Sequence, residues 1–156
     1  MSAIFRSARN NVWVIEQAVT VQAAAYATGE LVGGKLTLAG PFIKYGGLIE
    51  SVIITDLAKQ SIGKDVVIFD ADPSNTTFTE NSALAIADAD LVNVIGVAPV
   101  LDWFDFSDNS VGQALNLAIP FVLDVGDSLY AAIVERGAPT YASTSDLTIR
   151  VGILPG

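Results

Sequence analysis

DLTIRVGILPG, residues 146–156, alternates large aliphatic side chains with polar or small ones. In an extended chain Leu147, Ile149, Val151 and Ile153 fall on one side, and Thr148 and Arg150 on the other. A helix would scatter the same four aliphatic residues around its axis. The stretch therefore predicts a strand with one buried face, and its neighbours can be read outward from it.

LYAAIVERG (129–137), ALNLAIPFVLD (114–124), DVVIFDA (65–71) and LIESVIITDLA (48–58) have the β-branched and aromatic texture of further strands. KQSIGK (59–64) joins the last two at hairpin length and contains Gly63, which predicts a hairpin. Leu36 and Leu38 alternate with Lys35 and Thr37, and Val19, Val21 and Ala23 alternate with Thr20 and Gln22. Asn81 or Ser82 can cap a short helix over 83–87, and Asp88-Ala89-Asp90 a second short turn. About eight strands without long helices predict an all-β fold, an antiparallel β-sandwich of jelly-roll type with one or two short helices. Residues 1–18 read as an N-terminal arm or a first strand, and 19–156 as a single β-sandwich domain.

Composition narrows the chemistry. The chain of 156 residues has no Cys and no His. Thiol nucleophiles, cysteine zinc sites and every histidine-based triad are excluded. A carboxylate pair, a Ser-Lys dyad or an oxygen-ligated metal remains. A Ser-Lys dyad draws no support from the motifs read here, and no pair among the 17 acids stands out as a glycosidase pair.

Charge and hydropathy point toward contact surfaces. The formal charge is −9, and from Lys64 to Arg136 twelve carboxylates occur with no intervening cation. Such a surface repels phosphate backbones and anionic membranes, so neither nucleic acid nor membrane is an expected partner. Yet 51% of residues are hydrophobic and mean hydropathy is +0.50. That excess predicts apolar surface buried against other chains. Phe5, Arg6, Arg9 and Trp13 are the candidate contacts at the N-terminus, and Trp103, Phe104 and Phe106, in LDWFDF, form a second candidate patch.

FDADPSNTTFTEN (69–81) invites a calcium reading. From Asp70, an EF-hand loop would need Gly at position 6 and Glu at position 12; Asn75 and Asn81 stand there. A different cation site using Asp70, Asp72 and Glu80 stays open. The stronger reading is a turn, since Asp72-Pro73-Ser74-Asn75 suits positions i to i+3. TGELVGGKLT (28–37) lacks the spacing of a phosphate loop and predicts a strand-turn-strand with glycines at positive φ.

The succession YATGELVGGKLTLAG, GGLIESVIITDLAKQS, VVIFDADPSNTTFTENSALAIADADLVNVIGV and LYAAIVERGAPTYASTSDLTIRVGIL resembles the small virion proteins of tailed bacteriophages, of the head decoration or cement type. The resemblance spans about residues 19–154. It implies a non-enzymatic β-sandwich subunit without cofactor or metal, a homo-oligomer of trimer type. It also implies synthesis in the host cytoplasm and docking on the outer face of a virion, where the subunit bridges major capsid protein subunits. A carbohydrate- or receptor-binding virion protein is the alternative, with DWFDF as sugar platform; a carboxylate glycosidase ranks last.

Overall fold

Among the described residues ten strands pair in a nested order. They are β1 (Ile4–Ala8), β2 (Val12–Val19), β3 (Leu31–Ala39), β4 (Gly47–Asp56), β5 (Lys64–Phe69), β6 (Val94–Val100), β7 (Asp102–Asp105), β8 (Ser110–Phe121), β9 (Ser128–Glu135) and β10 (Leu147–Pro155), with one helical turn, α1 (Asp88–Leu91). The computed structural model describes residues 3–8, 12–40, 45–123 and 126–156, and for residues 5–8 side chains are outside that description.

β2 pairs with β10, β3 with β9, β4 with β8, and β5 with β6, all antiparallel. These pairs amount to one long double ribbon. Rolling it up adds the lateral pairs β10–β4 and β5–β9. The result is one sheet in the order β1-β2-β10-β4-β8-β7 and a second in the order β3-β9-β5-β6. This is a jelly roll of two packed sheets, with β1 and β7 as extra edge strands on the larger one.

The core lies between the sheets. Leu147, Ile149, Val151 and Ile153 all face it, at 0–1% exposure, as the period-two alternation requires. Ile15, Val52, Ile54, Val66, Ile68, Ala131 and Ile133 complete its middle.

A second, smaller cluster sits on the outer face of the four-stranded sheet. Leu31, Val67, Phe69 and Ala132 are covered there by Phe78, Leu84 and Ile86. The covering residues belong to the segment 70–93, which crosses the sheet as a flap. Asn81 N donates to Leu31 O (3.0 Å), Leu31 N to Ser82 O (2.9 Å) and Leu84 N to Gly29 O (3.2 Å). The predicted helix over 83–87 does not form. Leu84 and Ile86 both face the sheet, a period-two arrangement that a helix would break. The short turn at Asp88 does form, but no side chain caps it.

Three other expectations need correction. β4 and β5 are not a hairpin, for they lie in different sheets. Asp56 accepts hydrogen bonds from Ala58 N (2.8 Å) and Gln60 N (2.9 Å), and Lys59 and Ser61 take φ of +52°, so the connection swings the chain across the sandwich. The alternation at Val19–Ala23 does not continue a strand, because β2 ends at Val19. Gly33 and Gly34, at φ +84° and +66°, form an irregularity within β3 and not a turn between strands.

Candidate functional site

The exposed aromatic strip lies at one margin of the larger sheet. β7 is an edge strand with a single neighbour, β8. Alternation along it turns Trp103 inward and Phe104 outward. The indole lies over Gly112, where a Cβ would come within 2.6 Å of the ring. Its Nε1 donates to Val100 O (3.3 Å), and Lys64 Nζ sits 5.2 Å from the ring centroid. Trp103 is therefore the anchor of the edge, half-buried, while Leu101, Phe104 and Phe106 stand 62%, 52% and 55% exposed beside Asp102 and Asp105. Ser61 Oγ donates to Asp105, and Lys59 Nζ to Ser107 O (3.3 Å), which ties the β4–β5 connection to the same edge.

The N-terminal candidates lie elsewhere. Phe5 and Arg6 belong to β1, whose backbone pairs them with Ile15 and Val14; their side chains, and all of Arg9, lie outside the described residues. Trp13 is 7% exposed and packs in the main core. β1 and β7 are the opposite edges of a six-stranded sheet, about 24 Å apart at the usual strand spacing. The backbone of Phe5 and Arg6 thus lies across the sheet from Phe104.

Beneath the β7 edge runs a buried polar network. Lys64 Nζ lies 3.0 Å from Glu135 Oε2, with both side chains fully buried. Tyr141 donates to Glu135 Oε1 (2.5 Å), and Lys64 also donates to Ile62 O (3.1 Å). Burial pushes the Lys64 ammonium below its ordinary value and the Glu135 carboxyl above its own; the attraction between them works against both shifts. The Tyr141 hydroxyl is raised, by burial and then by the neighbouring carboxylate. Tyr26 meets Tyr141 edge to face at 5.4 Å and donates to Glu80, whose other oxygen accepts from Gly34 N (2.8 Å).

Ser61 and Lys64 do stand at Ser-x-x-Lys spacing, which the sequence expectations above passed over. The two side chains engage different carboxylates, Asp105 and Glu135, and do not form a dyad.

The three acids of the 69–81 stretch also diverge. Asp72 pairs with Lys35 Nζ at 2.6 Å, and Glu80 turns to Tyr26 and Gly34. Among the described residues no group of three or more acids could hold a metal ion. The carboxylate that organises the loop is Asp90, outside it. Asp90 accepts from Thr76 Oγ1 (2.6 Å), Asn75 Nδ2 (3.0 Å) and Asn75 N (3.0 Å). Burial opposes its charge, but these donors together hold its carboxyl below the ordinary value. Its only signal in the sequence was an acid in ADADL, read there as a cap.

No protein-family model matches the chain, and no curated protein matches it. Among solved structures, the chain is similar to one from the Israeli acute paralysis virus particle heated to 63 degrees, at 13% identity and TM-score 0.27, covering 99% of this chain and 70% of that one. A chain of Desmodium yellow mottle tymovirus gives 14%, 0.26, 99% and 88%. A chain of deformed wing virus, a honeybee pathogen, gives 10%, 0.26, 99% and 45%. Overlaps this low carry no argument, and the jelly-roll assignment rests on the strand pairing alone.

Proposed function

We propose that the chain is a non-enzymatic structural subunit of a virus particle. Its finer role is that of a bacteriophage head decoration protein, which binds the outer surface of the assembled shell and bridges major capsid protein subunits. The observation that carries this reading is the edge strand β7, where Leu101, Phe104 and Phe106 stand more than half exposed on a rigid anchor, Trp103. Apolar side chains held out from a stiff sheet are suited to adhesion at many equivalent sites. The titratable network beneath them is buried and internally paired. A subunit that binds only the assembled shell shifts the shell's disassembly equilibrium by mass action.

The test is cosedimentation of the purified chain with empty heads that lack it, followed by thermal disassembly. Bound protein should raise the disassembly temperature, and Phe104→Ala with Phe106→Ala should lower the bound fraction at least tenfold. Heads that bind none of the wild-type chain would sink the reading. A second reading, a carbohydrate-binding virion protein, is favoured by the acids flanking Phe104. A glycan titration followed by Trp103 fluorescence separates the two.

A further inference from the structure

The two sheets differ in what covers them. The outer face of the four-stranded sheet is closed by the chain's own flap, which lays Phe78, Leu84 and Ile86 on Val67, Phe69 and Ala132. Nothing comparable crosses the outer face of the six-stranded sheet among the described residues. An antiparallel sheet with one face in water normally carries polar side chains there. Here the outward positions of the central strands include Ile53 of β4, Val111 and Leu115 of β8 and Val14 of β2. Leu115 is 50% exposed and the others are half-buried.

The sequence carries the same signal in another form. Val52-Ile53-Ile54 is a continuous apolar run, the pattern of a strand buried on both sides. Accessible area is not in excess: 7478 Å² against roughly 7,500 Å² for a monomer of this mass. What departs from the ordinary is the chemistry of one face.

We propose that the outer face of the six-stranded sheet is buried against a second copy of this chain. The charge distribution selects that occupant. The chain carries −9 overall, so copies repel one another over most of their surface. In the middle of this face Arg150 and Glu16 neutralise each other at 3.5 Å, and the residues around them are aliphatic or hydroxylic. A like-charged copy can approach there without bringing unpaired carboxylates together. The footprint suffices without the β7 edge: the five strands β1, β2, β10, β4 and β8 cover roughly 700 Å², close to the ~800 Å² per partner of a standard interface. The inference deepens the functional reading above, on which it rests for the supply of many copies.

Size-exclusion chromatography with light scattering tests it, at about 100 µM chain, where a contact of micromolar Kd is mostly formed. The wild type should elute at a multiple of 16.3 kDa. Ile53→Asp and Leu115→Asp should each drop it to 16.3 kDa with an unchanged circular dichroism spectrum, and Val92→Asp, on α1's C-terminal side, should not. Should the aspartate variants fail to fold, hydroxyl-radical footprinting of the wild type takes their place. Leu115 should then be protected at high concentration and reactive on dilution, while Phe104 stays reactive throughout. A monomeric wild type, an oligomer that survives both substitutions, or Leu115 reactivity independent of concentration would each overturn the inference. A monomer that still decorates heads refutes this interface and leaves the functional reading standing; an oligomer that binds no heads does the reverse.

Discussion

Lys64 and Glu135 are direct cross-strand partners of β5 and β9, and their charges meet at 3.0 Å with no exposure to solvent. Removing one partner leaves an uncompensated charge in the interior, whereas removing both removes the desolvation cost as well. Lys64→Met should therefore destabilise the fold by about 3–5 kcal/mol in urea unfolding, while Lys64→Met with Glu135→Leu should recover most of that loss. Equal losses in the single and double variants would contradict this account.

Asp90 holds the flap through three donors from Asn75 and Thr76. Its carboxyl is held below its ordinary value of 3.8, so its contribution is present above that pH and is lost as pH falls through the lower, folded value. Protection factors for amide exchange at residues 75–87 should fall on acidification while the β10 amides stay protected. Asp90→Ala should show the fast exchange at neutral pH. Uniform exchange across the chain in both cases would rule out a separately held flap.

Glu80 behaves in the opposite sense. Burial raises its carboxyl above the ordinary 4.5, against the hydrogen bonds from Tyr26 and the Gly33 and Gly34 amides. Between those two values the unfolded chain has released its proton and the folded chain retains it, so stability falls as pH rises through that window. Glu80→Gln removes the ionisation and keeps one acceptor oxygen, which can serve the Gly34 amide while the new NH2 group donates to the Tyr26 oxygen. The urea midpoint of Glu80→Gln should decline less than that of the wild type from about pH 4 to about pH 8. Parallel declines would assign the slope to other groups.

Phe78 is the flap's largest apolar contact with the sheet and meets Phe69 edge to face at 6.5 Å. Phe78→Ala should cost about 2–4 kcal/mol, less than a fully buried aromatic, since the residue is only partly enclosed. Gly33→Ala should also destabilise. It combines φ of +84° with a Cβ position 2.2 Å from Val19 Cγ1. Differential scanning calorimetry reads both, and an unchanged Tm in either variant would refute its contact.

The strands around the main core were legible because one buried face imposes a period of two. Leu147 to Ile153 and the Leu36, Leu38 pair announce themselves that way. Leu84 and Ile86 carried the same period, yet the polar cap residues before them suggested a helix. The deciding partner, Phe69 on another strand, is invisible to local pattern. The β4–β5 corner was read as a hairpin for a similar reason. The length of KQSIGK fits a hairpin, but Asp56 spends both carboxylate oxygens turning the chain into the other sheet. Of the candidate site, the exposure of Phe104 and Phe106 was foreseen. The burial of Trp13 and the anchoring role of Trp103 depended on pairings, with Ile153 and Gly112, that only the folded chain specifies.

β10 lies between β2 and β4, and among the described residues it follows every other strand in the chain. Until it emerges from the ribosome, β2 has no bridge to β4 and the larger sheet cannot close. The nascent chain must hold its aliphatic strands apart, or in the care of a chaperone, until β10 joins them. A chain cut before Leu147 would lose the middle of a sheet, not its margin.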